Sequence, residues 1–167
     1  MSVDISLFDQ RPFSSEVPLV PPGREGDRWE NDEVIRFFKG KCIQEVSYEA
    51  LKSDYKKDWT AAHHLMSDQA FAFFLPSLLR LSQDNYEDST DNAGLLADSL
   101  VFMFRRMAEG TMDHRLLPLL RAYSKRQLGV ISLFLQEMSE QHYQGMGDMD
   151  DAAVALKLFW SQYLPSK

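Results

Sequence analysis

The sequence predicts an all-α protein, built as an irregular or orthogonal bundle of about six helices. Apolar residues recur at helical spacing in several segments, and no segment shows the regular alternation of a β-strand. Capping residues precede these segments, and glycines or polar loops follow them. With 167 residues, of which 44% are hydrophobic, the chain is long enough to bury one core.

The first 30 residues form a distinct opening segment. Its helix-breaking residues are Pro12, Pro18, Pro21, Pro22, Gly23 and Gly26. Apolar residues are interspersed among them. We interpret residues 1–30 as an extended Pro-rich arm and residues 31–167 as a single helical domain. Two readings of the arm stay open: it lies across the domain, or it is free and becomes ordered on a partner.

The first predicted helix runs from about residue 31 to 39, with Asn31 as its cap and Gly40 after its end. A second helix begins at Ser47 and a third at Ser67. The third contains Pro76, which predicts a kink or a restart because proline lacks the backbone N–H donor. Its apolar residues at helical spacing are Phe71, Phe74, Leu75, Leu78 and Leu79.

The second half of the chain continues this pattern. Asp91 or Asn92 caps a fourth helix, and a short connecting helix follows through the Leu116–Leu120 run. Ser124 and Gln127 then form a capping box. A last helix, opened by Asp148 or Asp150, is apolar on nearly all sides, which predicts deep burial. The predicted core residues are Phe71, Phe74, Leu78, Leu100, Leu135, Phe159 and Trp160.

The charge balance disfavours a nucleic-acid partner. The net charge is −7 and the isoelectric point is about 5.0, whereas nucleic-acid binding needs a cationic surface. Cys42 is the single cysteine, which excludes an intrachain disulfide. No N-terminal signal pattern and no run of about 18 apolar residues is present. The expected location is the cytoplasm, without membrane contact.

No pattern for catalysis, metal binding or cofactor binding occurs. The histidines show no metal-ligand spacing, and adjacent His63 and His64 are expected to point to different sides of a helix. The acidic segment from Asp84 to Asp91 lacks the glycine of a calcium loop. Nucleophile and nucleotide motifs are absent as well. The sequence therefore predicts a protein that is not an enzyme and has no metal or cofactor.

The order of the charges is the informative feature. Five acids and no Lys or Arg lie between Asp84 and Asp98, and the same is true between Glu137 and Asp151. If these stretches meet, they form one acidic face that attracts a basic protein partner. The alternatives are two separate solvated loops and, near the last helix, helix capping. The candidate contact residues are Asp84, Glu87, Asp88, Asp91, Asp148, Asp150 and Asp151.

Two other hypotheses stay open. The basic segment at residues 105–126 could form a phosphate-binding or catalytic cleft with Arg105, Arg106 and His114. Its simpler role is to balance the neighbouring acidic stretches. Alternatively, the chain is a structural adaptor whose Pro-rich arm binds the partner.

Residues 31–140 resemble a widespread bacterial helical domain family of unknown function. The resemblance rests on Trp59, on Phe73-Phe74-Leu75-Pro76, and on the capped segment Ser124–Leu135, although Tyr123 stands where that family usually has leucine. It implies the helical fold and no particular chemistry. Small domains of this kind are often encoded beside bacterial toxins. By this analogy the expected role is an immunity protein that occludes the active site of a toxin with its acidic face.

Overall fold

The structure is a computed structural model that describes residues 3–23, 28–86, 92–141 and 150–165. Within these ranges the chain is all-α, as predicted, and contains no strand. The described α-helices are α1 (Arg28–Phe38), α2 (Tyr48–Asp54), α3 (Trp59–Leu65), α4 (Asp68–Asp84), α5 (Asn92–Ala108), α6 (Asp113–Ala122), α7 (Lys125–Gln141) and α8 (Asp151–Leu158). Short 3₁₀ helices span Ile5–Leu7, Ile43–Glu45 and Trp160–Tyr163.

The eight α-helices of the described ranges exceed the predicted number of about six. α3 was not predicted because its 7 residues are too few for a repeating apolar pattern. Its start is set locally, by the Asp58 carboxylate that accepts a hydrogen bond from the Thr60 N–H at 2.8 Å. The predicted start of α1 was also wrong. It begins at Arg28, so Asn31 is a buried residue within the helix rather than its cap.

Four other helix starts are confirmed by their caps. Ser47 and Ser67 each accept a hydrogen bond, at 3.2 Å, from the backbone N–H three residues later. Ser124 and Gln127 form the predicted capping box, with reciprocal bonds of 2.8 and 3.3 Å. Asp150 caps α8. These side chains satisfy the N–H groups that the first turn of a helix leaves unbonded.

Pro76 does not divide α4, contrary to the expectation of a restart. The helix is continuous from Asp68 to Asp84, and Pro76 is buried within it. An interior proline costs about 3 kcal/mol in an isolated helix, because one hydrogen bond is lost. Here the residues on both sides, Phe74 and Leu78 among them, are fully buried. Their packing holds the helix together through the missing bond.

The core lies between α4, α5, α7 and the segment after α8. α5 packs against α8, α4 and α3, and α7 packs against α8. Phe159 is only half-buried, which makes its predicted core position wrong; its ring packs against the edge of Trp160. The other predicted core residues are buried, namely Phe71, Phe74, Leu78, Leu100, Leu135 and Trp160.

α8 is less buried than its apolar composition predicts. Ala152 and Ala155 are fully buried, but Leu158 is 53% exposed. The helix has only 8 residues and packs with one side on α5 and α7, so its remaining side faces solvent. In the described ranges, no helix combines the length and the apolar composition that a membrane span requires.

The opening segment, described from residue 3 to residue 23, packs against the helices. The Phe13 N–H donates to the Lys41 carbonyl at 2.9 Å, and the Leu19 carbonyl accepts from the Ser67 N–H at 2.8 Å. The buried apolar side chains of the segment are Val3, Phe8, Phe13 and Leu19. Residues 3–23 therefore contribute to the core of the protein.

Candidate partner-binding face

Three of the seven acidic residues predicted to contact a partner lie in the described part of the chain. Asp84 is the last residue of α4 and is exposed. Asp150 and Asp151 stand at the start of α8 and are partly buried. The other four lie outside the described residues: Glu87, Asp88, Asp91 and Asp148.

Asp150 has a structural role in addition to any role in binding. Its Oδ1 atom accepts a hydrogen bond from the Ala153 N–H at 3.0 Å, which caps α8. Its Oδ2 atom accepts a hydrogen bond from the hydroxyl of Ser139 on α7. The carboxylate thus joins the start of α8 to the neighbouring helix, as the capping alternative predicts.

We expect Asp150→Ala to lower the free energy of unfolding by roughly 0.5–2 kcal/mol, the usual cost of removing a helix cap. Asp150→Asn is the matched variant, because an asparagine amide oxygen can also cap, and it should cost clearly less. Urea denaturation of both variants measures the difference. Equal stability of wild type and Asp150→Ala would contradict the capping role.

Asp151 is held in an ion pair that crosses from α8 to α5. Its carboxylate binds Nη1 of Arg105, and the Arg105 Nε binds Glu109 Oε1 at 2.8 Å. The side chains of Arg105 and Asp151 are only 19% and 22% exposed. These hydrogen bonds, first to Glu109 and then to Asp151, raise the pKa of Arg105. The pair fixes the start of α8 beside the second half of α5.

Asp98 lies on α5, which packs against α8, where Asp151 stands. Asp98 ends the first Lys/Arg-free stretch, and Asp151 ends the second. The pKa of Asp98 is raised, firstly by burial and secondly by the neighbouring Asp151 carboxylate. The described ends of the two stretches are therefore electrostatic neighbours across the α5–α8 contact.

Two exposed apolar residues flank Asp98 on the same side of α5. Leu95 precedes it by three positions and Phe102 follows it by four, which places all three on one helical face. Leu95 is 43% exposed and Phe102 is 49% exposed. We name the set of Leu95, Asp98, Phe102 and Asp151 the acidic–apolar face.

A cation also lies against the Phe102 ring. The guanidinium carbon of Arg106 lies 5.8 Å from its centroid, one turn further along α5. Arg106 in addition donates through Nε to the Thr111 hydroxyl at 2.6 Å. The face thus presents an exposed aromatic ring with a cation against it.

A polar cluster lies between α3 and α5, on the other side of Asp98. Nε2 of His63 and Nε2 of His64 approach the Ser99 Oγ at 2.9 and 3.2 Å. The two rings are 4.0 Å apart between centroids. The expectation that these histidines point to different sides is wrong. Being adjacent near the end of a short helix, they stack and share one hydroxyl.

The contacts of this cluster connect neighbouring helices. Burial lowers the pKa of His63 well below its usual range, so the ring is neutral at physiological pH. Arg115 is buried beside it and donates to the His64 carbonyl at 3.0 Å, while its Nη1 lies 3.2 Å from the Asp68 carboxylate. These bonds tie α3 and α4 to α6. In the described ranges, no group of three or more His, Cys, Asp or Glu side chains could hold a metal ion.

The three residues singled out in the basic segment, Arg105, Arg106 and His114, differ in their surroundings. Arg105 binds carboxylates of its own chain, and Arg106 binds Thr111 and Phe102. His114 is exposed. The arginines at these positions are thus engaged in contacts within the protein.

The fold and this face define an all-α domain that presents apolar and acidic side chains together on one helix. The chain belongs to a family of unknown function, DUF6714, whose family model matches residues 23–164. The match confirms the predicted membership of a domain family of unknown function. No curated protein and no solved structure matches the chain.

Proposed function

We propose that the chain is a non-enzymatic protein-binding module, whose acidic–apolar face captures a basic protein partner. In its most specific form, the partner is a bacterial toxin and the chain is its immunity protein. The observation that carries the proposal is that Asp98 on α5 and Asp151 on α8, the last residues of the two acidic stretches, stand on helices that pack together, with exposed Leu95 and Phe102 on the same side of α5 as Asp98.

The electrostatics of Asp98 support a role outside folding. Because the pKa of this carboxylate is raised in the folded chain, its charged form opposes folding at neutral pH. A cationic group of a partner placed beside Asp98 would favour its charged form. The free energy that the fold gives up at Asp98 would then be recovered on binding.

The apolar residues of the face supply the buried contacts that tight binding needs in addition to charge. Carboxylates chiefly steer a basic partner and speed its association. Tight binding additionally needs a few apolar or aromatic anchors that become buried in the interface. Phe102, with half of its surface exposed and the Arg106 guanidinium against its ring, is suited to be such an anchor. Leu95, Asp98 and Phe102 combine both requirements within two turns of α5.

The toxin hypothesis adds one assumption, that the carboxylates of the face mimic phosphates. Toxins that act on nucleic acids or nucleotides have cationic active sites, because their substrates are phosphates. Carboxylates of the acidic–apolar face would take the place of these phosphates and occlude the cleft. This assumption rests on the net charge of −7 and on the analogy with domains encoded beside toxins.

The test starts with affinity purification of a partner from the native host, using the tagged full chain as bait. We expect Phe102→Ala and Asp98→Asn each to weaken binding of that partner by about tenfold, which corresponds to roughly 1.4 kcal/mol. Asp32→Asn on α1 is the matched charge control, since Asp32 is exposed and lies on a different helix. It should leave the affinity unchanged.

Stability measurements separate binding from folding. Asp98→Asn should raise the melting temperature at neutral pH, because it removes a carboxylate with a raised pKa. The gain should vanish as the pH falls through the pKa of folded Asp98, where the wild-type carboxyl becomes neutral as well. A partner that binds wild type, Phe102→Ala and Asp98→Asn equally would exclude this face as the binding surface.

A further inference from the structure

One cavity lies away from the acidic–apolar face. It has a volume of about 540 Å³ and is formed between the opening segment, α7 and the residues that follow the last 3₁₀ helix. Cavities of roughly 300–1,000 Å³ are the usual size for small-molecule sites. None of the four residues of the acidic–apolar face lines it.

The wall of the cavity is apolar. Its aliphatic and aromatic lining residues are Val3, Leu7, Val130, Leu133, Phe134, Tyr163, Leu164 and Pro165. Gly129 contributes a bare stretch of backbone, and a Cβ atom there would lie 2.9 Å from the Tyr163 carbonyl oxygen. This close approach holds the chain end against α7 and shapes one side of the cavity. The interior therefore suits a hydrocarbon chain rather than a polar ligand.

The rim of the cavity carries two cations. Lys125 and Arg126 are the first two residues of α7, and both are exposed. The positive end of the helix dipole adds to their charge at this position. The rim also contains Asp4, whose carboxylate is engaged by the Ser6 hydroxyl at 2.6 Å and by the Ser6 N–H at 3.0 Å. These bonds, with a smaller contribution from Arg126, lower the pKa of Asp4.

From the apolar wall and the cationic rim, we propose that this cavity binds an amphipathic anion with a single alkyl chain, such as a fatty acid. The alkyl chain lies along Leu133 and Leu164. The anionic head lies at the start of α7, where Lys125 and Arg126 neutralise it. Binding is reversible and needs no covalent step, and it is independent of the capture of a protein partner.

Calorimetric titration of the full chain with saturated fatty acids tests the proposal. Dodecanoate, kept below its micelle concentration, should bind saturably with one site per chain. Each buried methylene contributes about fourfold to the affinity, so affinity should rise steeply from octanoate to decanoate to dodecanoate. Dodecanol, which has the chain without the charge, should bind at least about fivefold more weakly than dodecanoate.

Variants assign the binding to this cavity. The double change Lys125→Glu and Arg126→Glu should weaken dodecanoate binding by about tenfold or more. It should leave folding intact, because acids are favourable in the first turn of a helix. Lys157→Glu, an exposed charge reversal on α8, is the matched control and should have no effect. Asp4→Asn should strengthen binding, since it removes the one carboxylate among the described residues that line the cavity.

A second variant acts on the wall. Leu133→Trp fills the cavity and should abolish dodecanoate binding while the circular dichroism spectrum stays helical. Dodecyl phosphate has the same alkyl chain as dodecanoate but a phosphate head group. Tighter binding of dodecyl phosphate identifies a lipid phosphate as the source of the anion, and tighter binding of dodecanoate identifies a free fatty acid. Absence of saturable binding, an affinity independent of chain length, or unchanged binding by both the charge and the filling variants would overturn the proposal.

Discussion

Phe74→Ala should lower the free energy of unfolding by about 3–5 kcal/mol, the usual cost of removing a fully buried phenylalanine ring. The Phe74 ring is 0% exposed and joins three parts of the fold. Its centroid lies 4.9 Å from that of Phe38 on α1 and 5.5 Å from that of Phe13 in the opening segment. Its removal therefore leaves a cavity where the opening segment, α1 and α4 meet.

Phe102→Ala is the matched control, because it makes the same change at a side chain that is 49% exposed. We expect it to cost far less, within about 1 kcal/mol. Urea denaturation followed by circular dichroism measures both. A Phe74→Ala midpoint close to that of Phe102→Ala would contradict the packing described for α4.

Trp160→Ala should be equally costly, at about 3–5 kcal/mol. Trp160 is 0% exposed, and its Nε1–H donates to the Phe104 carbonyl at 3.1 Å. Its ring meets that of Phe104 edge to face, with 5.3 Å between centroids. The substitution creates a cavity and also removes the hydrogen bond from the indole N–H to this carbonyl, which has a cost of its own.

The matched control for this variant is Trp29→Ala, at a tryptophan that is 82% exposed. It should change stability by no more than about 0.5 kcal/mol. Trp160→Phe separates the two contributions, because it restores most of the volume but not the hydrogen bond. Thermal unfolding of the three variants should give the order Trp160→Ala, Trp160→Phe, Trp29→Ala from least to most stable. A Trp160→Ala protein as stable as Trp29→Ala would remove Trp160 from the core.

Most of the helical framework is predictable because its signals are local. Ser67 and the capping box of Ser124 and Gln127 act within three residues of their own positions, so the sequence alone predicts these helix starts. The buried stripe of α4 follows from its apolar spacing. Where the prediction fails, tertiary contacts decide the outcome: packing keeps α4 continuous through Pro76, and α8 buries only one side, which leaves Leu158 exposed.

The candidate site is less predictable, since its parts are distant in the sequence. The charge pattern singles out the two acidic stretches, but only the fold places Asp98 beside Asp151. Phe102 is exposed because of the way α5 is rotated, and its sequence context does not distinguish it from a core phenylalanine. His63 and Ser99, 36 positions apart, carry no shared motif that would reveal their contact.

The central claim is that the acidic–apolar face captures a basic protein partner, and its most direct measurement is the association rate constant of that partner at low and high salt. We predict that the rate constant of the wild type falls steeply as salt increases. Asp98→Asn should lower it at low salt, and the difference should close at high salt. An association rate that is independent of salt, and equal for wild type and Asp98→Asn, would contradict the account.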